Sequence, residues 1–248
     1  MIPIKTQEEI KMMRDAGKIL GRIMEKVKKI IKENITTKEI DEAAQGLMDE
    51  EGVTSAFKDY RGFPRHICTS INHEIVHGIP SDRVILKEGD IISIDIGIIY
   101  KGYFSDAAFT LPIGKVGSLK KKLIEVARNA LYLGIKQVKV DNHLSDISYN
   151  IQSYVEGNGF SVVREFVGHG IGKEMHEEPP VPNFGQPHCG PLLKNGMVLA
   201  IEPMVNMGGW EARITDNGWT AVTRDGLPSA HFEHTVAITE KGPEVLTI

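Results

Sequence analysis

The length, composition and charge of the chain exclude several classes of protein. Its 248 residues, 41% hydrophobic and 25% charged, are typical of a folded globular protein large enough for one substantial domain. The sequence has no apolar run long enough to span a bilayer, and a net charge of −4 gives no basic footprint for nucleic acid. Two cysteines, Cys68 and Cys189, fit no zinc-ribbon or disulfide pattern, so both are expected to be reduced thiols in a cytoplasmic protein.

The region up to Gly52 predicts two helices. Thr6 and Glu9 have the spacing of a capping box at the start of the first helix, and apolar residues then recur at helical spacing. Thr36 and Glu39 repeat that signature before the second helix, which Gly52 can end. The N-terminal residues lack the basic and then apolar profile of a signal peptide, so neither export nor a membrane anchor is expected.

Strands and a second pair of helices follow in chain order. Residues 66–112 are rich in isoleucine and valine in short runs broken by glycine and proline, which predicts strands. Helical periodicity returns over residues 118–138 and 144–157, and strands with long loops dominate from Phe160 onwards. The lysines at 120–122 are interpreted as a solvated helix start. Helix pairs that alternate with antiparallel strands predict an α+β domain.

One internal repeat relates the two halves of the chain. LKEGDIISID, which ends at Asp95, matches LKNGMVLAIE, which ends at Glu202, and an HGI sequence precedes each copy, at His77 and His169. The repeat predicts a single domain, residues 1–248, made of two pseudo-symmetric halves whose acids and histidines approach a shared centre. Chance similarity between short strand-and-turn segments is the alternative.

Residues 91–112 predict a β-hairpin that brings two aspartates together. Isoleucines at alternate positions of IISIDIGIIY indicate a strand with one apolar face. With Lys101 and Gly102 as a two-residue turn, Gly97 lies opposite Asp106, so Asp95 and Asp106 share one face as diagonal neighbours. Two ionised carboxylates this close need a positive charge between them, unless the hairpin faces solvent and both are simply hydrated.

Three further residues favour a metal over solvent. Glu202 in MVLAIEPMV and Glu233 in AHFEHTVAIT lie in apolar, strand-like sequence, where an unpaired glutamate is poorly tolerated. With Asp95 and Asp106 they carry four negative charges, which two divalent cations would neutralise. His169 lies in a glycine-rich stretch unsuited to a helix, and its neutral imidazole would complete a mixed oxygen and nitrogen ligand set.

These residues lie in motifs that resemble those of type I methionine aminopeptidases, which have the pita-bread fold. The motifs are spread over nearly the whole chain, and they are SINHEIVHGIP, GDIISIDIG, GYFSDAAFT, FVGHGIGKEMHEEPPVPNFG, GMVLAIEPMV and AHFEHTVAIT, with a looser match in NGWTAVT. The resemblance implies an α+β architecture in which a pseudo-twofold antiparallel sheet is flanked by helix pairs.

By this resemblance, five residues would hold two divalent metal ions. Asp95 would chelate one ion, Asp106 and Glu233 would bridge both, and His169 with Glu202 would complete the other. Cobalt, manganese, iron and zinc all accept such ligands, so the sequence leaves the identity of the metal open.

The resemblance also implies a reaction and the residues that perform it. Metal-activated water would hydrolyse the peptide bond after the first residue of a substrate, with Glu202 as general base. His176 would stabilise the oxyanion, and His77 would contact the scissile amide or the leaving group. The methionine side chain would lie in a pocket lined by Tyr60, Phe63, Cys68 and Trp219, together with His77 and His176. Without the ligand set, ordinary core packing would explain those aromatic residues.

By the same resemblance, the enzyme would remove the initiator methionine from peptides and nascent chains whose second residue is small. A cytoplasmic monomer is expected, which could meet nascent chains at the ribosome and would bind neither nucleic acid directly nor a membrane. A monovalent cation near Asn72 and Ser229 is also implied. The loop that contains His188 and Cys189 is interpreted as a surface loop rather than another metal site.

Three alternatives stay open at this point. Prolidases and aminopeptidase P share the ligand set but carry a further N-terminal domain, for which the stretch before Ser70 is too short. An inactive pita-bread domain that binds peptides would be expected to lack a ligand or a histidine. A dinuclear hydrolase of phosphate esters would need basic residues near the metals, and VHGIP and GHGIG supply none.

Overall fold

Two pairs of helices pack against the strands of the protein. In the computed structural model, which describes all residues 1–248, the helices are α1 (Gln7–Ile30), α2 (Thr37–Glu51), α3 (Ser118–Ile135) and α4 (Leu144–Gly157). All four lie where the sequence predicted them. None of them is both long and apolar enough to cross a membrane.

The ends of α1 and α2 confirm the predicted capping boxes and the predicted role of Gly52 in ending α2. The hydroxyls of Thr6 and Thr36 accept from the backbone N–H groups of Glu9 and Glu39, whose carboxylates accept from the threonine N–H groups in return. Gly52 ends α2 in the left-handed conformation with φ 68°, which glycine adopts without steric cost. Each threonine cap contributes about 1 kcal/mol to helix stability.

Fifteen strands, most of them short, make up the rest of the regular structure. They are β1 (Thr54–Ser55), β2 (Cys68–Ile71), β3 (Glu74–Val76), β4 (Ile91–Tyr100), β5 (Tyr103–Pro112), β6 (Ser161–Val162), β7 (Gly168–Gly170), β8 (Glu177–Val181), β9 (Val198–Ile201), β10 (Met204–Asn206), β11 (Ala212–Ile214), β12 (Ala221–Thr223), β13 (Ser229–His231), β14 (His234–Thr239) and β15 (Gly242–Val245).

The strands pair antiparallel in four sheets, as the α+β prediction required. One sheet has the order β1-β4-β2, with β5 as a further partner of β4, and another has the order β15-β14-β9-β7-β8. Two smaller sheets have the orders β13-β10-β6 and β11-β12-β3. Backbone hydrogen bonds of 3.0 and 3.4 Å between Ala108 and Glu233 connect the first two sheets.

The β4–β5 hairpin has the predicted register. Tyr100 pairs with Tyr103, and Gly97 pairs with Asp106, so Asp95 and Asp106 are diagonal neighbours on one face. The turn residues Lys101 and Gly102 have φ values of 50° and 80°, the positive values that a tight two-residue hairpin turn requires.

Both faces of the hairpin are buried, whereas the sequence had predicted only one apolar face. The isoleucine face packs into the main apolar core together with α1 and α2. On the other face, the Ser93 and Thr110 hydroxyls lie 2.8 Å apart and are both buried. The carboxylates on this second face are therefore inside the protein and do not lie on a solvent-facing ribbon.

The lysine run lies at the start of α3 with Lys121 and Lys122 exposed, as predicted, whereas Lys120 is half-buried. Lys120 Nζ donates to Asn72 Oδ1 at 2.9 Å and to the Gly89 carbonyl at 2.7 Å. Lys122 Nζ donates to the Asn158 carbonyl at 2.8 Å. The first turn of α3 is thus fastened to neighbouring loops, a long-range contact that local sequence does not encode.

Candidate metal centre and peptide pocket

Four acidic side chains line one cavity, and they come from two sheets. Asp95 lies in β4 and Asp106 in β5, whereas Glu202 directly follows β9 and Glu233 lies between β13 and β14. The N–H group of Asp106 donates to Thr235 Oγ1 at 3.1 Å, and this hydroxyl donates to the Asp106 carbonyl at 2.8 Å. These bonds hold the hairpin against β14, so the acids of one half of the chain meet those of the other.

Three of the carboxylates keep an oxygen atom that no hydrogen-bond donor reaches. The atoms are Oδ1 of Asp95, Oδ1 of Asp106 and Oε1 of Glu233, and all three are buried. The Asp106 residue is only 3% exposed and Glu233 only 1%. A buried acceptor without a partner costs on the order of 1–3 kcal/mol, and more when it is charged. The hydrated-hairpin alternative is therefore excluded, because these carboxyl groups are buried, and in their ionised forms they would need a cation nearby.

Burial raises the pKa of all four carboxyl groups. It raises the pKa of Asp106 to about 7. Burial, followed by repulsion from Asp106 and Glu202, raises the pKa of Asp95 well above its usual range. Burial and then repulsion from Asp106 raise the pKa of Glu202. Burial and then repulsion from the other three acids raise the pKa of Glu233. A divalent cation would favour the charged forms and reverse these shifts.

His169 occupies the middle of β7, a strand whose glycines allow close packing. A Cβ atom at Gly170 would collide with the carbonyl oxygen of Glu178 on β8. Nδ1 of His169 lies 2.9 Å from the Gly170 carbonyl oxygen, which places the ring proton on Nδ1. Nε2 is then a free acceptor, 3.6 Å from Glu202 Oε1. Burial lowers the pKa of His169 to about 4, so the ring is in the neutral form that binds metals.

The donor set fits divalent cations. Ligand atoms of Asp106, His169 and Glu233 lie within 4.8 Å of one another, and those of Glu202, His231 and Glu233 form a second such group. Carboxylate and imidazole ligands suit divalent transition metals. The five ligands that the sequence analysis assigned all line the same cavity. Asp95 stands outside both groups, but its unpartnered oxygen is buried beside them.

His176 lies beside the acids and is held by Tyr60. The rings of His176 and His169 have centroids 4.3 Å apart, and the Tyr60 hydroxyl oxygen lies 2.8 Å from Nδ1 of His176. Burial, followed by the charge of Arg61, lowers the pKa of His176. A neutral ring whose Nδ1 accepts from a hydroxyl carries its proton on Nε2, where it can serve as a hydrogen-bond donor.

His77 is the third histidine that lines the cavity, and its backbone has an unusual conformation. Its φ is 59°, a conformation that non-glycine residues rarely adopt and that is often found at functional sites. Its imidazole lies edge-on to Phe166 and Trp219, with centroid distances of 5.5 and 6.4 Å. Burial, followed by the nearby His176, lowers the pKa of His77 to about 4.

Aromatic and other apolar side chains line the same cavity of about 170 Å³ as the acids. Phe63 lies edge-on to Trp219 at 5.2 Å between ring centroids and belongs to a small buried cluster with Cys68. The residues assigned to a substrate pocket all line it, namely Tyr60, Phe63, Cys68, His77, His176 and Trp219. Sequence reasoning missed three more lining residues, Phe57, Arg61 and Met175. Arg61 and Met175 could have been found because each is adjacent in sequence to an assigned residue.

His231 is a further residue at the centre that sequence reasoning missed. Its Nε2 atom lies 3.6 Å from Glu202 Oε2, and burial, followed by His77, lowers its pKa to about 3. The available signal was the motif AHFEHTVAIT, in which His231 stands two positions before Glu233.

Two other predicted features lie away from the cavity. Ser229 N–H donates to the Asn72 carbonyl at 2.8 Å, but the side-chain oxygen of Asn72 accepts from the ammonium of Lys120. A monovalent cation there stays a prediction. His188 and Cys189 lie in an exposed loop whose N–H groups donate to Asp146 Oδ1 and Ser145 Oγ, at 2.8 and 2.7 Å. This loop therefore packs on the first turn of α4.

Comparison with known proteins identifies the family. The model of metallopeptidase family M24 matches residues 11–240. The chain belongs to this family. Members of it are metallopeptidases, which implies use of a divalent metal, and the cluster of acids and histidine offers ligand atoms that could hold one.

Two relatives are similar over the full length of the chain. A methionine aminopeptidase of Clostridium perfringens is 51% identical, in an alignment that covers 100% of this chain and 99% of that protein. The crystal structure of a methionine aminopeptidase from Thermotoga maritima superposes with a TM-score of 0.98 at 44% identity, covering 100% of this chain and 99% of that chain. The predicted pita-bread fold and the resemblance to type I methionine aminopeptidases are confirmed, as is the prediction of a peptide hydrolase.

The proline-specific alternative is not supported. An Xaa-Pro dipeptidase from Bacillus anthracis has a TM-score of 0.77 at 24% identity, and the match covers 98% of this chain but only 61% of the dipeptidase. This likeness shows a shared fold, and the longer chain agrees with the additional domain that the sequence analysis expected of such enzymes.

Proposed function

We propose that the protein removes N-terminal methionine from peptides and nascent proteins, with a preference for substrates whose second residue is small. The observation that carries this proposal is one cavity lined both by buried carboxylates with unpartnered oxygens and by aromatic and apolar side chains. The full-length similarity to methionine aminopeptidases supports the same activity.

Charge balance supports two divalent ions at this centre. Asp95, Asp106, Glu202 and Glu233 carry four negative charges when all are ionised, which two divalent cations would neutralise. Asp106 and Glu233 would bind both ions, Asp95 one of them, and His169 with Glu202 the other. When bound, such ions polarise a peptide carbonyl and lower the pKa of water. Cobalt, manganese, iron and zinc are the candidates.

Glu202 acts as the general base. Its carboxylate borders the cavity, where its ionised form can accept a proton from the attacking water. It then passes this proton to the departing amine, which restores its starting state. Because its two oxygens lie beside His169 and His231, the carboxylate is placed between two rings and does not extend freely into solvent.

Two histidines contact the polar atoms of the scissile bond. His176, with Nδ1 held by Tyr60, donates from Nε2 to the oxyanion that develops on the carbonyl oxygen. His77 faces the same cavity and contacts the scissile amide nitrogen or the leaving group. Both rings have lowered pKa values, so both are neutral at physiological pH.

The pocket suits a methionine side chain. The whole cavity, which the acids share, has a volume of about 170 Å³. Aromatic ring edges and a thiol are favourable neighbours for a thioether sulfur, and Tyr60, Phe63, Cys68 and Trp219 provide them.

The protein acts as one catalytic domain, residues 1–248, with two related halves. A single apolar core cluster contains residues of all four helices, which supports this description. We further infer a cytoplasmic monomer that meets peptide or nascent-chain N-termini, with the ribosome as one place of encounter.

Hydrolysis of two matched peptides tests the proposal. Metal-stripped protein is supplied with increasing manganese or cobalt and is given Met-Ala-Ser or Met-Leu-Ser. We expect metal-dependent release of methionine from the alanine peptide and little from the leucine peptide. In a Glu233→Gln variant the rate should fall at least about a hundredfold, because a ligand to both ions is lost.

Glu125→Gln is the matched control, since Glu125 is exposed on α3 and lies far from the cavity. It should behave like the wild type. Metal binding without cleavage of either peptide would instead indicate an inactive peptide-binding domain, and the roles of His77, His176 and Glu202 would be withdrawn.

A further inference from the structure

His231 is a buried histidine whose outer ring nitrogen has no partner in the protein. The residue is 1% exposed, and Nε2 is among the few buried side-chain atoms without a hydrogen bond. The atom lies 3.6 Å from Glu202 Oε2, only slightly beyond hydrogen-bonding distance. Hydrogen bonds at catalytic sites are often long in the free enzyme and tighten when the site is loaded.

The backbone of His231 is held rigidly beside Glu202. As the last residue of β13 it pairs with Met204, two residues after Glu202. Its N–H group donates to Thr110 Oγ1 at 2.9 Å, and the Thr110 hydroxyl donates to its carbonyl at 2.8 Å. Thr110 Oγ1 also lies 2.8 Å from the Ser93 hydroxyl on β4. The ring therefore projects from a point fixed to the strands that carry the aspartates.

The Glu202 carboxylate lies between two imidazoles, each facing a different oxygen. Oε1 is 3.6 Å from Nε2 of His169, and Oε2 is 3.6 Å from Nε2 of His231. His169 carries its proton on Nδ1 and so presents an acceptor, whereas His231 can present an N–H donor. A donor on Oε2 would stop the carboxylate from rotating and would keep Oε1 turned towards His169.

We propose that His231 is a positioning residue, which donates from Nε2 to Glu202 Oε2 and so orients the general base and metal ligand. This inference rests on the proposed function of the centre. Carboxylates that bind metals are commonly held by such outer hydrogen bonds, and their loss typically costs about 10–100-fold in metal affinity or activity. The competing role, direct metal ligation by His231, is suggested by its proximity to Glu202 and Glu233.

Two substitutions at position 231 distinguish a hydrogen-bond donor from a metal ligand and from a side chain that only fills space. His231→Gln keeps an N–H donor that can reach Oε2, whereas His231→Leu fills a similar volume without any donor. His231→Met serves as a second donor-free variant if the leucine protein does not fold. Circular dichroism and thermal unfolding of the metal-free proteins establish that each variant is folded.

The experiment measures kcat and KM for Met-Ala-Ser at saturating manganese, and manganese binding to metal-free protein by calorimetry. We expect the donor-free variant to lose about 10–100-fold in kcat or in manganese affinity, with KM and the number of bound ions unchanged. The glutamine variant should stay within about threefold of the wild type, because an equivalent hydrogen bond is restored.

Three results would overturn the proposal. A donor-free variant that matches the wild type in both measurements would show that His231 only fills space. A glutamine variant as impaired as the leucine variant would show that an N–H donor is not what matters. Loss of one bound ion in both variants would make His231 a ligand. If the wild type itself shows no metal-dependent cleavage, the proposed function fails instead, and the two failures are thereby distinguished.

Discussion

The phenolic oxygen of Tyr60 lies 2.8 Å from Nδ1 of His176, and the two rings stack with centroids 5.5 Å apart. Tyr60 thus lines the cavity with its ring and contacts His176 with its hydroxyl. Because the hydroxyl can donate to Nδ1, it selects the tautomer of His176 that has its proton on Nε2. In the proposed mechanism, this one side chain would therefore link recognition of the substrate side chain to stabilisation of the oxyanion.

Tyr60→Phe should separate these two roles. The ring remains in the pocket, so KM for Met-Ala-Ser should change little. The loss of the hydrogen bond leaves both tautomers of His176 accessible, and we expect kcat to fall about tenfold. Steady-state kinetics at saturating manganese measure both constants. Tyr149→Phe is the control, since Tyr149 is exposed on α4, and an equal drop in that variant would remove Tyr60 from the mechanism.

The stability of the metal-free protein should fall as pH rises from 6.5 to 8. The pKa of Asp106 is raised to about 7 in the folded state. Its contribution to stability is complete below the unfolded-state pKa and is lost as pH rises through 7, by about 1 kcal/mol across this window. The histidines His77, His169 and His231 have lowered pKa values. Their unfolded forms still lose protons between pH 6.5 and about 7.5, which favours the folded state and opposes the trend. The pKa values of Asp95, Glu202 and Glu233 are raised well above their usual range, so these three carboxyl groups add to the loss and outweigh the histidines.

Urea unfolding of protein treated with a chelator, at pH 6.5 and at pH 8, measures this difference. Added manganese should abolish it, because the ions favour the ionised carboxylates and bind only the folded state. A metal-free protein that becomes more stable towards pH 8 would show that the carboxyl groups are not protonated near neutrality.

Asp106→Asn should inactivate the enzyme yet stabilise its metal-free form at pH 8. Asp106 is among the groups that raise the pKa of Asp95, Glu202 and Glu233, so its neutral replacement relieves repulsion among buried charges. We expect activity to fall at least about a hundredfold and the free energy of unfolding to rise by about 1–2 kcal/mol. Asp216→Asn, at an exposed position, should change neither quantity. A less stable Asp106→Asn protein would contradict the electrostatic account.

Gly168→Ala should disturb β7 and displace His169. A Cβ atom at Gly168 would collide with the carbonyl oxygen of Ala200 on β9, and backbone cannot yield as a flexible side chain would. We expect weaker manganese binding and lower activity, with the stability of the metal-free protein reduced by about 1–3 kcal/mol. Calorimetry and thermal unfolding measure the two effects.

Gly46→Ala is the matched control. A Cβ atom at Gly46 meets nothing within 4 Å, and the position lies inside α2. Alanine there should stabilise the protein by up to about 1 kcal/mol without changing metal binding. Equal losses in both variants would show that the close approach at β7 does not place His169.

The sequence by itself determined the four helices and the antiparallel hairpin with its two neighbouring aspartates. These features depend on residues close together in the chain, such as the Thr6–Glu9 capping box and the turn at Lys101 and Gly102. A two-residue turn sets the register of both strands, so Gly97 opposite Asp106 followed from counting alone. The family resemblance rested on motifs of the same local kind.

Only the tertiary structure decided which polar atoms are satisfied and which are not. That Tyr60 reaches His176, that Lys120 occupies the side chain of Asn72, and that His231 stands beside Glu202 depend on segments far apart in sequence. Burial on both faces of the hairpin, and the raised pKa values that follow from it, likewise arise when the sheets pack together. The sequence specifies local conformation by short-range sterics and hydrogen bonds, whereas partners and solvation are properties of the assembled fold.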